Sequence, residues 1–404
     1  MLRRFALPAL TLPLLLLLVP AGPAAGADLT PSERLGKLLF FEKSLSANGN
    51  QSCATCHAPE AGWTGPDEAI NKGGGVYEGS VAGRFGSRKP PSVAYSTMSP
   101  KLRRGPGGDF TGGHFWDGRA TGEQLGSAAA DQALGPFLNP MEQTLPDAAA
   151  VVRAVCAGSY AALFKEVWGK EACAHPESAF GNIGRSIAAF EASREVDLFR
   201  SRFDAFRAGK AALTPEEKRG LDLFEGKAKC AICHRSRPGP IGEPPLFTDF
   251  GFDNIGVPRN PANPFYANRA ANPLGPAWTD LGLGGFLLTV PAHAGAARQE
   301  IGKHKTPTLR NVDLRPSPGF VKCYGHNGYF KSLKEIVHFY NTRDVLPPCG
   351  EEDPKPGLGC WPLPETNLNL NVADMGNLGL SDAEENAVVA FLKTLSDEPP
   401  PAMK

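Results

Sequence analysis

Cys53-Ala54-Thr55-Cys56-His57 and Cys230-Ala231-Ile232-Cys233-His234 are the two stretches that decide how this 404-residue chain is read. Both have the form Cys-x-x-Cys-His. Two thiols at that spacing add to the two vinyl groups of a haem, and the histidine that follows is held beneath the iron as proximal ligand. A zinc site or a redox dithiol uses similar spacing. Two copies, each closed by histidine, favour covalent haem c over both. The expected attachment points are Cys53, Cys56, Cys230 and Cys233, with His57 and His234 on the irons.

Upstream of each motif the chain repeats itself. Thr30-Pro31-Ser32-Glu33 and Thr214-Pro215-Glu216-Glu217 read as helix starts, with Thr as N-cap, Pro at the first helical position and Glu three residues on. Leu and Phe at helical spacing follow in both. Residues 183–196 read as a helix closing the first unit, 197–213 as a hinge, and 381–395 as the final helix, with Ser381 and Glu384 as its capping box. No strand pattern of any length appears. The expected fold is mainly α: two cytochrome c-like (class I) haem domains with long loops, over residues 28–205 and 206–404. The 46 glycines and 38 prolines fit that loop content.

Residues 1–27 read as a cleavable secretory signal. Arg3 and Arg4 precede an apolar run from Phe5 to Val19, and Ala24-Ala25-Gly26-Ala27 offers a cleavage site. The run is shorter than the ~20 residues needed to span a bilayer. A periplasmic protein without a membrane span in its mature chain is expected. Lys and Arg total 42, as do Asp and Glu, and no basic stripe is present, which gives nucleic-acid binding no support. Of nine cysteines, the motifs use four. In an oxidising compartment Cys349 can pair with Cys360 across a short loop, and Cys156 with Cys173, which leaves Cys323 over.

Between the motifs lie Phe115-Trp116-Asp117-Gly118-Arg119 and Gln132-Ala133-Leu134-Gly135-Pro136-Phe137-Leu138-Asn139-Pro140-Met141-Glu142; after them come Lys305-Thr306-Pro307-Thr308-Leu309-Arg310-Asn311-Val312 and the closing Phe391-Leu392-Lys393-Thr394-Leu395. With both haem motifs in order, the chain resembles the bacterial di-haem cytochrome c peroxidase and MauG family over nearly its whole mature length. The resemblance implies that Trp116 relays electrons between the haems, that Glu142 is the acid–base residue above the first haem, and that Pro136 and Gln132 line the same distal pocket. Taken alone, Trp116 reads equally as a core aromatic and Glu142 as a solvated carboxylate.

The peroxidase branch places a displaceable histidine on the first haem shortly after the first motif. This chain has no histidine between His57 and His114, so the first iron is expected to be open, as in the MauG branch. For the second iron, Ser332 to Tyr340 resembles the family's ligand helix, which ends in Met in peroxidases and Tyr in MauG. Tyr340 stands there, and a phenolate favours the higher oxidation states of iron. Met375, His338 and His326 are rivals. The family's calcium ligands are missing: Lys89 stands at the position of the Asn, and the carbonyl loop departs as Leu314-Arg315-Pro316-Ser317. Calcium is therefore doubtful. Lys89 is either a surface loop lysine or an ammonium standing in for the ion.

The resemblance implies an enzyme: a peroxidase that reduces hydrogen peroxide with electrons from a small periplasmic donor, such as a mono-haem cytochrome c or a cupredoxin. A MauG-like oxidase acting on a partner protein is the alternative. A di-haem electron carrier is a third reading, and it needs neither Glu142 nor an open iron.

Overall fold

A computed structural model describes residues 28–239, 242–350 and 355–398. The expected signal lies outside them. The helices that position the site are α1 (Pro31–Phe40), α2 (Ala128–Leu138), α3 (Ala148–Ala157), α4 (Ala161–Trp168), α5 (Pro176–Glu191), α6 (Arg202–Arg207), α7 (Pro215–Glu225), α8 (Leu333–Thr342) and α9 (Asp382–Lys393). Two-residue antiparallel ladders pair Arg103 with Thr111 and Phe252 with Lys305. Shorter helices such as Gly282–Leu288, single helical turns and long loops make up the rest of the described residues, so the fold is mainly α. Among the described residues no single helix is long and apolar enough to cross a membrane.

Both expected helix starts form. Thr30 and Thr214 each accept from the backbone N–H of their glutamate, which reaches back to the threonine N–H, and proline opens each helix. Ser381 and Glu384 do the same for α9. Two expectations are corrected. The helix expected over 183–196 begins earlier, at Pro176, because Ala179 and Phe180 extend its buried face; it stops at Glu191, and the chain then turns so that Asp197 N–H bonds Ser193 O. The stretch expected as a hinge carries α6, capped by Ser201, with Phe203 buried; Asp204 takes two bonds from the buried Arg310. That pairing fixes the segment to the last third of the chain.

One apolar core gathers Leu35 to Val196 and a second gathers Phe203 to Leu395. They are built alike. In the first, α1 crosses α5 so closely that a Cβ on Gly36 would strike Ser186 O and lie 2.9 Å from Phe190 Cβ; in the second, α7 crosses α9 so that a Cβ on Gly220 would strike Ala387 O and lie 2.8 Å from Phe391 Cβ. Only glycine permits either crossing. Edge-on rings then fill each core: Phe40, Trp63 and Phe190 in one, Phe224, Phe247 and Phe391 in the other. The disulfides Cys156–Cys173 and Cys349–Cys360 both form, and Cys323 is buried and free.

Candidate functional site

Each Cys-x-x-Cys-His stretch makes one short helical turn beside a cavity. The first cavity, about 300 Å³, is bordered by Cys53, Cys56, His57, Gln132, Pro136 and Glu142. The second, about 290 Å³, is bordered by Cys230, Cys233, His234, Tyr340 and Met375. Trp116 and Lys89 border both. Residues far apart in sequence thus border the same cavities.

These surroundings fit a covalently held haem. Four of the other cysteines are paired, yet the four motif cysteines stay as thiols, two at each cavity. Burial pushes Cys53, Cys230 and Cys233 up to about 12. His57 Nδ1 donates to Trp63 O at 3.3 Å and His234 Nδ1 to Phe247 O at 2.9 Å, so each Nε2 is the nitrogen left for iron. Both accepting residues sit at positive φ, Trp63 at 61° and Phe247 at 52°, which turns the carbonyl towards the ring. Burial lowers His57 to about 4 and also lowers His234, keeping both imidazoles neutral as ligands must be.

On the distal side of the first cavity, α2 is capped by Ser127 and carries Gln132 and Pro136. The turn after it presents Glu142, whose Oε1 accepts from Asn139 Nδ2 at 2.7 Å. Burial raises the Glu142 carboxyl above its usual range, while Arg119 and Asn139 pull it back part of the way. Arg119 lies over the Phe115 ring at 3.7 Å and bonds Asp117 at 2.9 Å. Arg119 and Asn139 sit in quoted motifs, yet nothing in the motifs alone gives them a part. His114 borders the cavities too, but its Nε2 donates to Ser96 O at 2.7 Å.

At the second cavity, Tyr340 comes from α8 and Met375 from the loop before α9; Gly376 N–H bonds Tyr340 O at 2.7 Å, tying the two together. Burial raises the Tyr340 phenol. His338 points elsewhere, bonding Glu385 at 2.9 Å. His326 stacks on His304 with ring centroids 3.6 Å apart, edge-on to Trp116 at 6.5 Å.

Between the cavities the two halves clasp each other. Lys89 N–H bonds His326 O at 2.9 Å, and Lys305 N–H bonds Trp116 O at 2.8 Å. The Trp116 indole N–H donates to Lys89 O at 2.9 Å. The Lys89 ammonium is no surface group: it turns inward to Pro90 O at 3.1 Å and Thr64 Oγ1 at 3.4 Å. The reading as a surface loop lysine is therefore set aside. Lys322, 4% exposed, donates to Leu314 O, Ala61 O and Asn311 O at 2.7, 2.8 and 3.3 Å. A divalent cation in this seam would face the amino groups of Lys89 and Lys322 where the family has an Asn ligand, and calcium stays doubtful.

The sequence is 35% identical to the methylamine utilization protein MauG of Paracoccus denitrificans, over 95% of this chain and 94% of that one. This chain belongs to the di-haem cytochrome c peroxidase and MauG family. The family model described as di-haem cytochrome c peroxidase matches residues 30–212. Identity is 29% to the cytochrome-c peroxidase IdrP1 of Denitromonas iodatirespirans, over 94% of this chain and 84% of that protein. The crystal structure of the diheme peroxidase BthA from Burkholderia thailandensis superposes with a TM-score of 0.75 at 32% identity, covering 92% of this chain and 87% of that one. The protein is thus a di-haem oxidoreductase of the peroxidase type, with two covalently bound haem c groups in a mainly helical fold.

Proposed function

We propose that this chain is a periplasmic di-haem peroxidase that reduces hydrogen peroxide to water with electrons from a small redox protein. In this reading Cys53, Cys56 and His57 hold the haem of the peroxide site, and Cys230, Cys233 and His234 hold the electron-entry haem. The carrying observation is that Glu142 borders the cavity of the first motif while Trp116 borders both cavities. A pure electron carrier has no need of a carboxyl in that place. The haem supplies the redox chemistry that breaks the peroxide O–O bond. Glu142 takes the proton from one peroxide oxygen and returns it to the other, so that the leaving oxygen departs as water. The Asn139 bond holds the carboxylate in position for this. Gln132 and Pro136 shape the space, and Trp116 carries electrons across the seam.

Tyr340 at the second cavity supports a second reading, a MauG-like oxidase that draws electrons from a partner protein. The reading as peroxidase is tested by steady-state turnover. Sustained oxidation of a reduced mono-haem cytochrome c or cupredoxin on adding peroxide is the expected result. A single oxidising turnover, with no sustained consumption of donor, moves the assignment to the second reading.

A further inference from the structure

The two cores differ at one corresponding position. Phe190 and Phe391 are equivalent, since each packs on the glycine of the opening helix and joins the same trio of rings. The next residue borders the cavity in both halves: Leu392 in the second, Glu191 in the first. Glu191 is 3% exposed, and among the described residues no hydrogen bond or ion pair reaches its carboxyl. Behind it lies Asp197, 8% exposed. Its Oδ1 accepts from Tyr95 N–H at 2.5 Å, and its Oδ2 is buried with no partner.

A buried carboxylate without a cation is far costlier than a buried carboxylic acid. The charged groups around the pair are Asp397, whose Oδ2 accepts from Tyr95 OH, and Arg310, which is committed to Asp204. On the cavity side stand the Cys53 thiol and Glu142. The flanking Glu195 is paired with Lys37 of α1. Burial, and to a lesser extent the neighbouring Asp197, raises Glu191 to about 8, and burial raises Asp197 to about 8 as well.

Reducing one hydrogen peroxide to two waters takes two electrons and two protons. Glu142 only redistributes protons already on the peroxide, so the two consumed protons must enter from other groups. We propose that Glu191, backed by Asp197, is a proton store of the first cavity. Glu191 releases one proton into the cavity and becomes carboxylate. Reprotonated by Asp197, which refills from solvent, it releases the second proton in the same way, while the donor protein supplies the two electrons. The inference rests on the peroxidase reading.

The test uses the haem-loaded protein with Glu191→Gln and Glu191→Leu, the second placing there what the other half has. Infrared spectra near neutral pH should show deuterium-sensitive C=O bands of buried carboxylic acids, one of them lost in both variants while that of Asp197 remains. Peroxide reduction should fall about tenfold, below the full 10²–10⁴ range of a positioned acid–base group because Glu142 remains. The wild-type rate should decline above about pH 8, where the store empties, and both variants should lack that limb. Stability gives an independent reading. A carboxyl whose folded value is raised contributes stability present below its unfolded value and lost as pH rises through the folded one, from about 4 to about 8; both variants should flatten that slope. A carboxylic-acid spectrum unchanged in both variants overturns the proposal, and so does a lost band with wild-type rates and pH profile. If the protein does not turn over peroxide at all, the peroxidase reading fails, while the band and the stability slope still report on Glu191.

Discussion

The two halves of this molecule share a scaffold and differ in what they point into it. Each has a threonine-capped opening helix, a glycine crossing, a trio of rings, and a motif histidine steadied by a carbonyl from a left-handed residue. Even the turns that clasp the seam correspond: bridges join His114 to Ala120 and Tyr324 to Phe330, with Trp116 and His326 in matching places. The linings diverge. The first cavity has Gln132, Pro136, Glu142, Arg119 and Glu191; the second has Tyr340, Met375, Val388 and Leu392. The shared parts are those that hold a haem. In the proposed function the unshared parts handle protons on one side and offer a side-chain ligand to iron on the other. Chemistry here resides in a few side chains placed on a duplicated frame.

The sharpest way to break the comparison is to remove the acid from the half that has it. Glu142→Gln should slow peroxide cleavage by roughly 10²-fold or more, the scale of a lost acid–base group, while the haem spectrum persists. Stopped-flow mixing at the wild-type rate would make Glu142 structural. A smaller effect is expected on the other side. Tyr340→Met should raise the potential of the second haem, on the order of 0.1 V within the span that axial ligands cover. Spectroelectrochemistry with unchanged potential and spectrum would make Met375 the ligand and leave Tyr340 as wall.

Much of this was legible in the sequence because the signals are local. The capped openings, the haem motifs and the final helix each depend on residues within a few positions of one another, and all form as read. Trp116, Gln132, Pro136 and Glu142 came from resemblance, and the cavities gather them. Glu191 was not legible: in a run such as Ala188-Ala189-Phe190-Glu191 it looks like the polar edge of a helix. Only the crossing of α1 and α5 shows that it is buried. Lys322 was hidden for a related reason, since its carbonyl partners are Ala61, far off in sequence, and the Asn311–Leu314 turn. The start of α5 and the nature of 197–213 are less legible: Ala179 and Phe180 extend the buried face of α5, and Arg310, which holds Asp204, is distant in sequence.

If the halves differ as proposed, one haem is open on its distal face and the other is closed by a side chain. Electron paramagnetic resonance of the resting oxidised protein tests this most directly. The account predicts one high-spin ferric haem, from the first cavity, and one low-spin ferric haem, from the second, in equal amounts. Two low-spin signals, with no high-spin component, would contradict it.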